Sequence, residues 1–191
     1  MAGVPQHDEV LGSPVAPVTM VYFGDPQCRF CREWHTRVLP TLVRRYVRTG
    51  KLQIRWEGFS VIGPDSVTGE RFILAAGLQD HLWDVLDDVL ANQEEENSGW
   101  LGPPLLEQVG ASVPGFSVPQ AIAAVRSRTV ADELSAGERL GRRWRLRGVP
   151  SILLGHRKHG LRLLNVNALT PAEFTHPIAR LLKGGPRRSG S

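Results

Sequence analysis

The chain contains two cysteines among 191 residues, and they stand close together as Cys28-Arg29-Phe30-Cys31. A disulfide across so short a loop removes little conformational entropy from the unfolded chain, so it would be a weak structural cross-link. The pair follows an apolar, β-rich run at 18–23 and a short turn at 24–27, and a helical pattern starts directly after it. These two thiols are therefore predicted to act as a redox pair at a strand-to-helix junction.

The spacing of apolar residues along the chain predicts an alternation of strands and helices. Strands are predicted at 18–23, 52–59, 151–154 and 161–166. Helices are predicted at 28–48, with a kink at Pro40, and at 72–90, 105–109, 119–125, 129–140 and 171–182. Strands separated by a block of helices indicate an α/β domain with a helical insertion.

This order predicts four segments. The first, 1–61, is the N-terminal part of the α/β domain and carries the two cysteines. The second, 62–145, is the inserted helical subdomain, and the third, 146–183, returns to the α/β domain. The fourth, 184–191, is predicted to be a disordered tail.

Charge and hydrophobic patterning limit the partners and the location that are expected for this chain. A net charge of +4 is modest and does not by itself indicate nucleic-acid binding. No stretch approaches the roughly 20 apolar residues of a membrane helix. Residues 1–10 lack the apolar region of a signal peptide. We therefore expect either a cytoplasmic protein that starts at Met1 or a soluble domain from which a leader or anchor has been removed.

The position of Cys28 at the first turn of a helix predicts its chemistry. Free backbone N–H groups and the positive end of the helix dipole favour a thiolate there, and Arg29 adds a cation. The Cys28 pKa is therefore expected to lie below about 8.5, with a partly exposed, reactive sulfur. Cys31 lies one turn inward and is expected to be the more buried, resolving thiol.

A half zinc site is the alternative interpretation of the cysteine pair. His35 extends the pattern to C-x2-C-x3-H, and Asp25 offers a fourth ligand. Structural zinc sites usually draw their ligands from two separate elements, so we favour the redox interpretation and predict no metal. His35 is then expected to be a surface residue of its helix.

A second signal is Gly148-Val149-Pro150-Ser151, where a proline opens a predicted strand. Such a proline either caps an edge or forms a cis turn. Taken alone, an ordinary trans proline is the better interpretation. With a C-x2-C motif at an earlier strand-to-helix junction, a cis Val149–Pro150 bond is favoured.

The chain resembles the DsbA-like thiol–disulfide oxidoreductases of the thioredoxin superfamily, of the bacterial DsbA or thioredoxin-4 type. The resemblance covers about residues 5–182. The matching motifs are Leu11-Gly12, Ala16-Pro17-Val18-Thr19, Phe23-Gly24-Asp25 before Cys28 and Cys31, Ile62-Gly63-Pro64-Asp65-Ser66, Ala75-Ala76-Gly77 with Gln79 and Trp83, Asn92-Gln93 with Glu96-Asn97-Ser98-Gly99, and Gly148-Val149-Pro150.

This resemblance implies a thioredoxin fold, a central mixed sheet flanked by helices, with the helical block inserted. It implies that Cys28 and Cys31 are catalytic and that Arg29 and Phe30 form the active-site dipeptide. It further implies that Val149 and Pro150 form a substrate-binding loop whose proline packs against the dithiol.

Two departures from the family pattern stand out. Arg29 occupies the position where the family usually has proline, and this dipeptide tunes the redox potential. Many thioredoxin-fold enzymes also bury an acid six residues before the first cysteine, where this chain has Tyr22. Glu57, on the neighbouring strand, is a candidate for the missing proton shuttle, although an exposed strand glutamate is the favoured interpretation.

The resemblance implies an enzyme that introduces disulfides into secreted or extracytoplasmic proteins. Its partners would be cysteine-containing substrate proteins and a membrane re-oxidising protein of the DsbB or VKOR type, with no nucleic acid. The redox-active disulfide replaces any separate cofactor, and an extracytoplasmic location, periplasmic or in the cell envelope, is expected. The alternatives are a disulfide reductase or isomerase, a redox-inactive thioredoxin-fold binding module, or a zinc-binding protein.

Overall fold

A computed structural model describes residues 3–184, and most of the predicted tail therefore lies outside the described residues. Its centre is a mixed sheet of six strands: β1 (Gln6–His7), β2 (Val10–Leu11), β3 (Val18–Gly24), β4 (Leu52–Gly58), β5 (Ser151–His156) and β6 (Gly160–Leu163). They lie in the order β1-β2-β4-β3-β5-β6, in which β3 and β4 are parallel and the other neighbours antiparallel. The central strands β3 and β4 are largely buried, as expected of strands that are covered on both faces.

The helices are α1 (Arg29–Arg37), α2 (Leu39–Leu42), α3 (Pro64–Gly77), α4 (Leu82–Ala91), α5 (Pro103–Ser112), α6 (Val118–Ala124), α7 (Arg128–Arg143) and α8 (Pro171–Leu182). The helices α3 to α7 lie between β4 and β5, which confirms the predicted helical insertion. The proposed boundaries at 62 and 145 stay predictions. No helix among the described residues is long and apolar enough to cross a bilayer.

Two predicted helices are interrupted in the structure. The helix expected at 28–48 consists of α1, α2 and a π-helical turn at Val43–Val47, with Pro40 in the first turn of α2. Proline has no N–H to continue the hydrogen-bond ladder of α1, so the interruption falls there. The helix expected at 72–90 is α3 and α4, separated at Asp80, whose φ of 61° is left-handed. The apolar spacing continues because both helices bury residues in the same core.

Glycines bring α7 close to the end of β4. A methyl group added at Gly137 would overlap the backbone oxygen of Gly58, and one at Gly141 would lie 2.8 Å from the ring of Phe59. Larger side chains at these positions would therefore push α7 away from the sheet. This packing buries the carboxyl end of β4, next to the end of β3 from which the cysteine segment starts.

The hairpin of β1 and β2 was not predicted. Each strand has two residues, which is too short to produce a period-2 pattern. It extends the sheet through an antiparallel pairing between β2 and β4. The amphipathic C-terminal helix is found as predicted, at Pro171–Leu182.

Candidate active site

Cys28 lies at the N-cap of α1, immediately after the turn that follows β3. Its sulfur accepts a hydrogen bond from the Cys31 backbone N–H at 3.3 Å, and its thiol donates to the Val149 carbonyl oxygen at 3.5 Å. Neither cysteine is bonded to another in the structure. Only 5% of the Cys28 surface is exposed, less than the partly exposed sulfur predicted, because the Val149 segment packs over it.

The two thiols differ in acidity, and the pKa of Cys28 is lowered as predicted. The neighbouring Cys31 thiol is the main cause of the lowered pKa of Cys28, and the backbone N–H groups of Cys31 and Phe30 lower it further, against the opposing effect of burial. Burial raises the pKa of Cys31 well above its ordinary value, and the hydrogen bond to Cys28 raises it further. This arrangement favours a nucleophilic Cys28 and a protonated Cys31.

The dipeptide between the cysteines faces solvent. The Phe30 side chain is 46% exposed, and the guanidinium carbon of Arg29 lies 4.6 Å from the centre of its ring. This is the geometry of a cation–π contact. The Arg29 charge therefore lies on the Phe30 ring at the outer surface of the site.

The loop before β5 lies opposite the cysteines. The Val149–Pro150 peptide bond is cis, and Ser151, which follows it, pairs with Phe23 near the end of β3. The Ser151 hydroxyl donates to the Gly148 carbonyl at 2.7 Å, which closes the turn. The fold thus brings Val149, 121 positions away in sequence, into contact with Cys28. The role of this loop in binding substrate stays a prediction.

A buried carboxylate anchors the segment before Cys28. Asp25 has no exposed surface, and its oxygens accept from the N–H groups of Gln27 (2.8 Å), Val61 (2.8 Å) and Ile62 (3.0 Å) and from the Ser66 hydroxyl (2.7 Å). These bonds fix the turn after β3 against the loop that leads into α3. They also occupy the carboxylate that the zinc alternative needs as a ligand.

The prediction that His35 is a surface residue is wrong. His35 is 2% exposed, its ring stacks on Trp83 with centres 5.8 Å apart, and its Nδ1 lies 3.3 Å from Asp87 Oδ1. The helix α1 packs against α4 here, so this face is internal. Among residues 3–184, the side chains that converge as a potential metal-binding group do not include Cys28, Cys31 or His35.

The interpretation of Glu57 as an exposed residue is also wrong. Glu57 is 7% exposed and forms an ion pair with Arg55, with 2.8 Å between Nε and Oε1. Burial raises its pKa. Trp56 packs against Tyr22, on the face of the sheet that carries Cys31, and strand alternation places Glu57 on the opposite face. Glu57 therefore lies on the face of the sheet opposite the one that carries Cys31.

Several polar residues around the site were given no individual role by the sequence analysis. The Gln93 amide donates to the carbonyls of Pro26 (2.8 Å) and Cys28 (3.1 Å), and Gln27 donates to Ser66 (2.8 Å). The Gln27 side chain also accepts from the Asn97 N–H at 2.7 Å. Gln93, Asn97 and Ser66 belong to the motifs on which the family resemblance rests. Those motifs are the sequence signal that could have identified these residues as part of the site.

Comparisons with known proteins agree with this geometry. Residues 5–178 match the family model Thioredoxin_4, described as Thioredoxin. A probable disulfide bond formation protein D from Bacillus cereus is 32% identical over 145 residues, which cover 74% of this chain and 67% of that protein.

Two solved structures show a similar fold. The crystal structure of oxidised BdbD from Bacillus subtilis has a TM-score of 0.80 at 20% identity and covers 95% of this chain and 98% of that one. The crystal structure of α-DsbA1 from Wolbachia pipientis has a TM-score of 0.78 at 17% identity, with 92% and 91% covered. These likenesses confirm the thioredoxin fold with its helical insertion.

Proposed function

We propose that this chain, which belongs to the thioredoxin family Thioredoxin_4, is a thiol–disulfide oxidoreductase that introduces disulfides into other proteins. The observation that carries this proposal is the unequal pair at the start of α1. Cys28 has a lowered pKa and lies against the Val149 carbonyl, and Cys31 is buried behind it with a raised pKa. Its relative from Bacillus cereus bears the name of a disulfide bond formation protein, which supports the direction of the reaction.

The reaction proceeds in two exchanges. A substrate thiolate attacks Cys28 of the oxidised pair, the Cys28–Cys31 bond breaks, and its electron pair goes to the Cys31 sulfur, which takes up a proton. A second substrate thiolate then attacks the substrate sulfur of the mixed disulfide, and Cys28 leaves as a thiolate. The substrate gains a disulfide and the enzyme becomes a dithiol. The two cysteines carry both electrons, so no separate cofactor enters these steps.

Substrate contact is proposed at two surfaces beside Cys28. Phe30 offers an exposed aromatic ring, and the backbone of the Val149–Pro150 loop lies next to the sulfur. An extended peptide placed along this loop would present its cysteine to Cys28. We propose an extracytoplasmic location, where disulfides persist, and a membrane re-oxidising protein of the DsbB or VKOR type as the electron acceptor.

The equilibrium with glutathione tests the direction of electron flow. Stabilisation of the Cys28 thiolate favours the reduced enzyme and therefore makes the pair oxidising. We expect a potential between about −120 and −180 mV, as in oxidases and isomerases of this fold. Alkylation and mass measurement across a series of glutathione buffers would give the value, and Cys28→Ser should show no transition. A potential near −270 mV, as in thioredoxin, would instead indicate a reductase.

A further inference from the structure

The buried resolving thiol needs a route for its proton. Cys31 has no exposed surface, yet it gains a proton when it leaves the disulfide and loses one when it attacks a mixed disulfide. The position that often holds an acid in this fold is occupied by Tyr22, and Glu57 lies on the other face of the sheet. The groups that serve Cys31 must therefore lie elsewhere among its neighbours.

Tyr22 and His35 lie next to Cys31 in an aromatic cluster. The buried Tyr22 ring stacks on Trp34 with centres 4.3 Å apart and lies 5.7 Å from the His35 ring. The Tyr22 hydroxyl and the Cys31 thiol are close enough for each to shift the pKa of the other. His35 follows Cys31 by four residues on α1, so the two side chains project from the same face of the helix.

Four polar atoms of this cluster are buried and have no hydrogen-bond partner among the described residues: the Tyr22 hydroxyl, His35 Nε2, Trp34 Nε1 and Trp56 Nε1. The indole nitrogens can only donate a hydrogen bond, whereas the Tyr22 oxygen and His35 Nε2 can also accept one. Buried polar atoms in native proteins are nearly always paired, so these two acceptors in neighbouring rings point to a function. The other ring nitrogen of His35, Nδ1, lies 3.3 Å from Asp87 Oδ1, and the Asp87 side chain is 48% exposed.

The contact with Asp87 fixes the state of the imidazole. A carboxylate can only accept a hydrogen bond, so His35 Nδ1 carries the proton and donates it to Asp87. Nε2 is then an acceptor, and it is the atom without a partner. Burial lowers the pKa of His35, against the opposing effect of Asp87, and so favours the neutral ring. Asp87 is placed to stabilise the imidazolium that forms when Nε2 takes up a proton.

We propose that Tyr22, His35 and Asp87 form a proton relay between the Cys31 sulfur and solvent, a role that rests on the proposed thiol–disulfide exchange. When Cys31 attacks a mixed disulfide, its proton passes to the Tyr22 oxygen and the Tyr22 proton passes to His35 Nε2 through a bridging water. The Cys31 sulfur forms a bond to Cys28, and the substrate leaves as a thiolate. When Cys31 leaves the disulfide, the same protons move in reverse.

The charges around the relay are consistent with these roles. Burial raises the pKa of Tyr22 well above its ordinary value, and the nearby Cys31, Cys28 and Asp25 raise it further, so Tyr22 transmits a proton without remaining ionised. Asp87 is the charged group that faces His35. Tyr22 adjoins the reacting sulfur and is a candidate catalytic residue, whereas His35 and Asp87 act through it.

The reaction of the reduced protein with oxidised glutathione separates the two exchanges. Attack by Cys28 is bimolecular and depends on glutathione concentration, whereas the attack by Cys31 that follows is intramolecular. Stopped-flow tryptophan fluorescence, checked by acid quenching and mass measurement, would give both rate constants between pH 6.5 and 8.5. With the relay, His35 takes up the proton during the attack and passes it to solvent afterwards, so the intramolecular rate should be nearly independent of pH.

Tyr22→Phe removes only the hydroxyl. We expect the intramolecular rate at pH 7 to fall by about 10- to 100-fold and then to rise about tenfold per pH unit, because solvent must remove the proton. Asp87→Asn, at a half-exposed position, should slow the same step by about tenfold. The bimolecular rate should change by less than about twofold in both variants. Matched controls are Tyr46→Phe, whose hydroxyl donates to the Thr175 carbonyl at 3.4 Å, and Asp88→Asn on the same helix as Asp87.

The possible results distinguish a failure of the relay from a failure of the proposed function. A normal bimolecular phase with unchanged intramolecular rates and pH slopes in Tyr22→Phe and Asp87→Asn would overturn the relay alone. Equal slowing in the two control variants would also overturn it, because packing would then explain the effect. If native protein shows no bimolecular phase, the proposed function fails and the relay fails with it.

Discussion

Replacement of Cys28 with serine is expected to reduce disulfide transfer to the uncatalysed rate. Every electron pair in the proposed cycle passes through the Cys28 sulfur, and a hydroxyl in its place neither forms a disulfide nor leaves as a stable anion. The measurement is the rate at which a reduced, unfolded protein regains its disulfides in the presence of each variant. Circular dichroism would show that the variant is folded.

Replacement of Cys31 with serine is expected to have a different result. Cys28 can still attack a disulfide-bonded substrate and release one substrate thiol, but no neighbouring thiol can displace the substrate that stays bound, so mixed disulfides should accumulate at Cys28. Non-reducing electrophoresis and peptide mass measurement would locate the bond. Equal loss of turnover without any mixed disulfide in Cys31→Ser would contradict the assigned order of attack, and so would trapping at Cys31 in Cys28→Ser.

Glu70→Gln is expected to stabilise the protein by up to about 5 kcal/mol at pH 8 and above. Glu70 is 1% exposed, and burial is the main cause of a pKa raised to about 8, against the opposing hydrogen bond from the Ser60 hydroxyl. The neighbouring carboxylates of Asp25, Glu138 and Glu57 raise it further. Glutamine has the shape of the protonated acid and carries no charge.

The sign of this effect follows from the two pKa values. Below about pH 4.5, Glu70 is protonated in both the folded and the unfolded chain, so its ionisation does not lower the free energy of unfolding. Between about 4.5 and 8 the unfolded chain releases the proton and the folded protein retains it, so stability falls as pH rises and then levels off above 8. The difference between those pKa values corresponds to about 5 kcal/mol, taken as an upper limit.

Urea unfolding of wild type and Glu70→Gln between pH 4.5 and 9 would test this prediction. The free energies of unfolding of the two proteins should differ least at pH 4.5, and the difference should grow up to about pH 8. Glu94→Gln, at an exposed position, serves as the matched control and should change little with pH. A gap that is constant with pH would show that the Glu70 carboxyl ionises normally in the folded protein.

The sequence was sufficient to predict the parts of the site that depend on local pattern. The spacing of the cysteines and the strand and helix around them gave the unequal pair, because the start of a helix acts on its own first residues. The contact between Val149 and Cys28 spans the helical insertion and could be predicted only through the family resemblance.

The errors at His35 and Glu57 have a common physical cause. The spacing of apolar residues within one helix or strand does not show which other elements pack against it. Helix α4 covers the face of α1 that carries His35, and α7 lies across the end of β4 next to Glu57. The role of Asp25 was hidden for the same reason, because its Ser66 partner is 41 positions away. Each missing fact is a tertiary contact made by the inserted helices or the loop that leads into them.

The Cys28–Cys31 disulfide is expected to pass directly to another protein. The most direct measurement is to mix the oxidised chain, at equal concentration and without glutathione, with a reduced, unfolded protein that contains one native disulfide. Acid quenching, alkylation and mass measurement would then follow both proteins over time. We expect the substrate to gain one disulfide while Cys28 and Cys31 become free thiols at the same rate. An enzyme disulfide that persists while the substrate stays reduced would contradict the account.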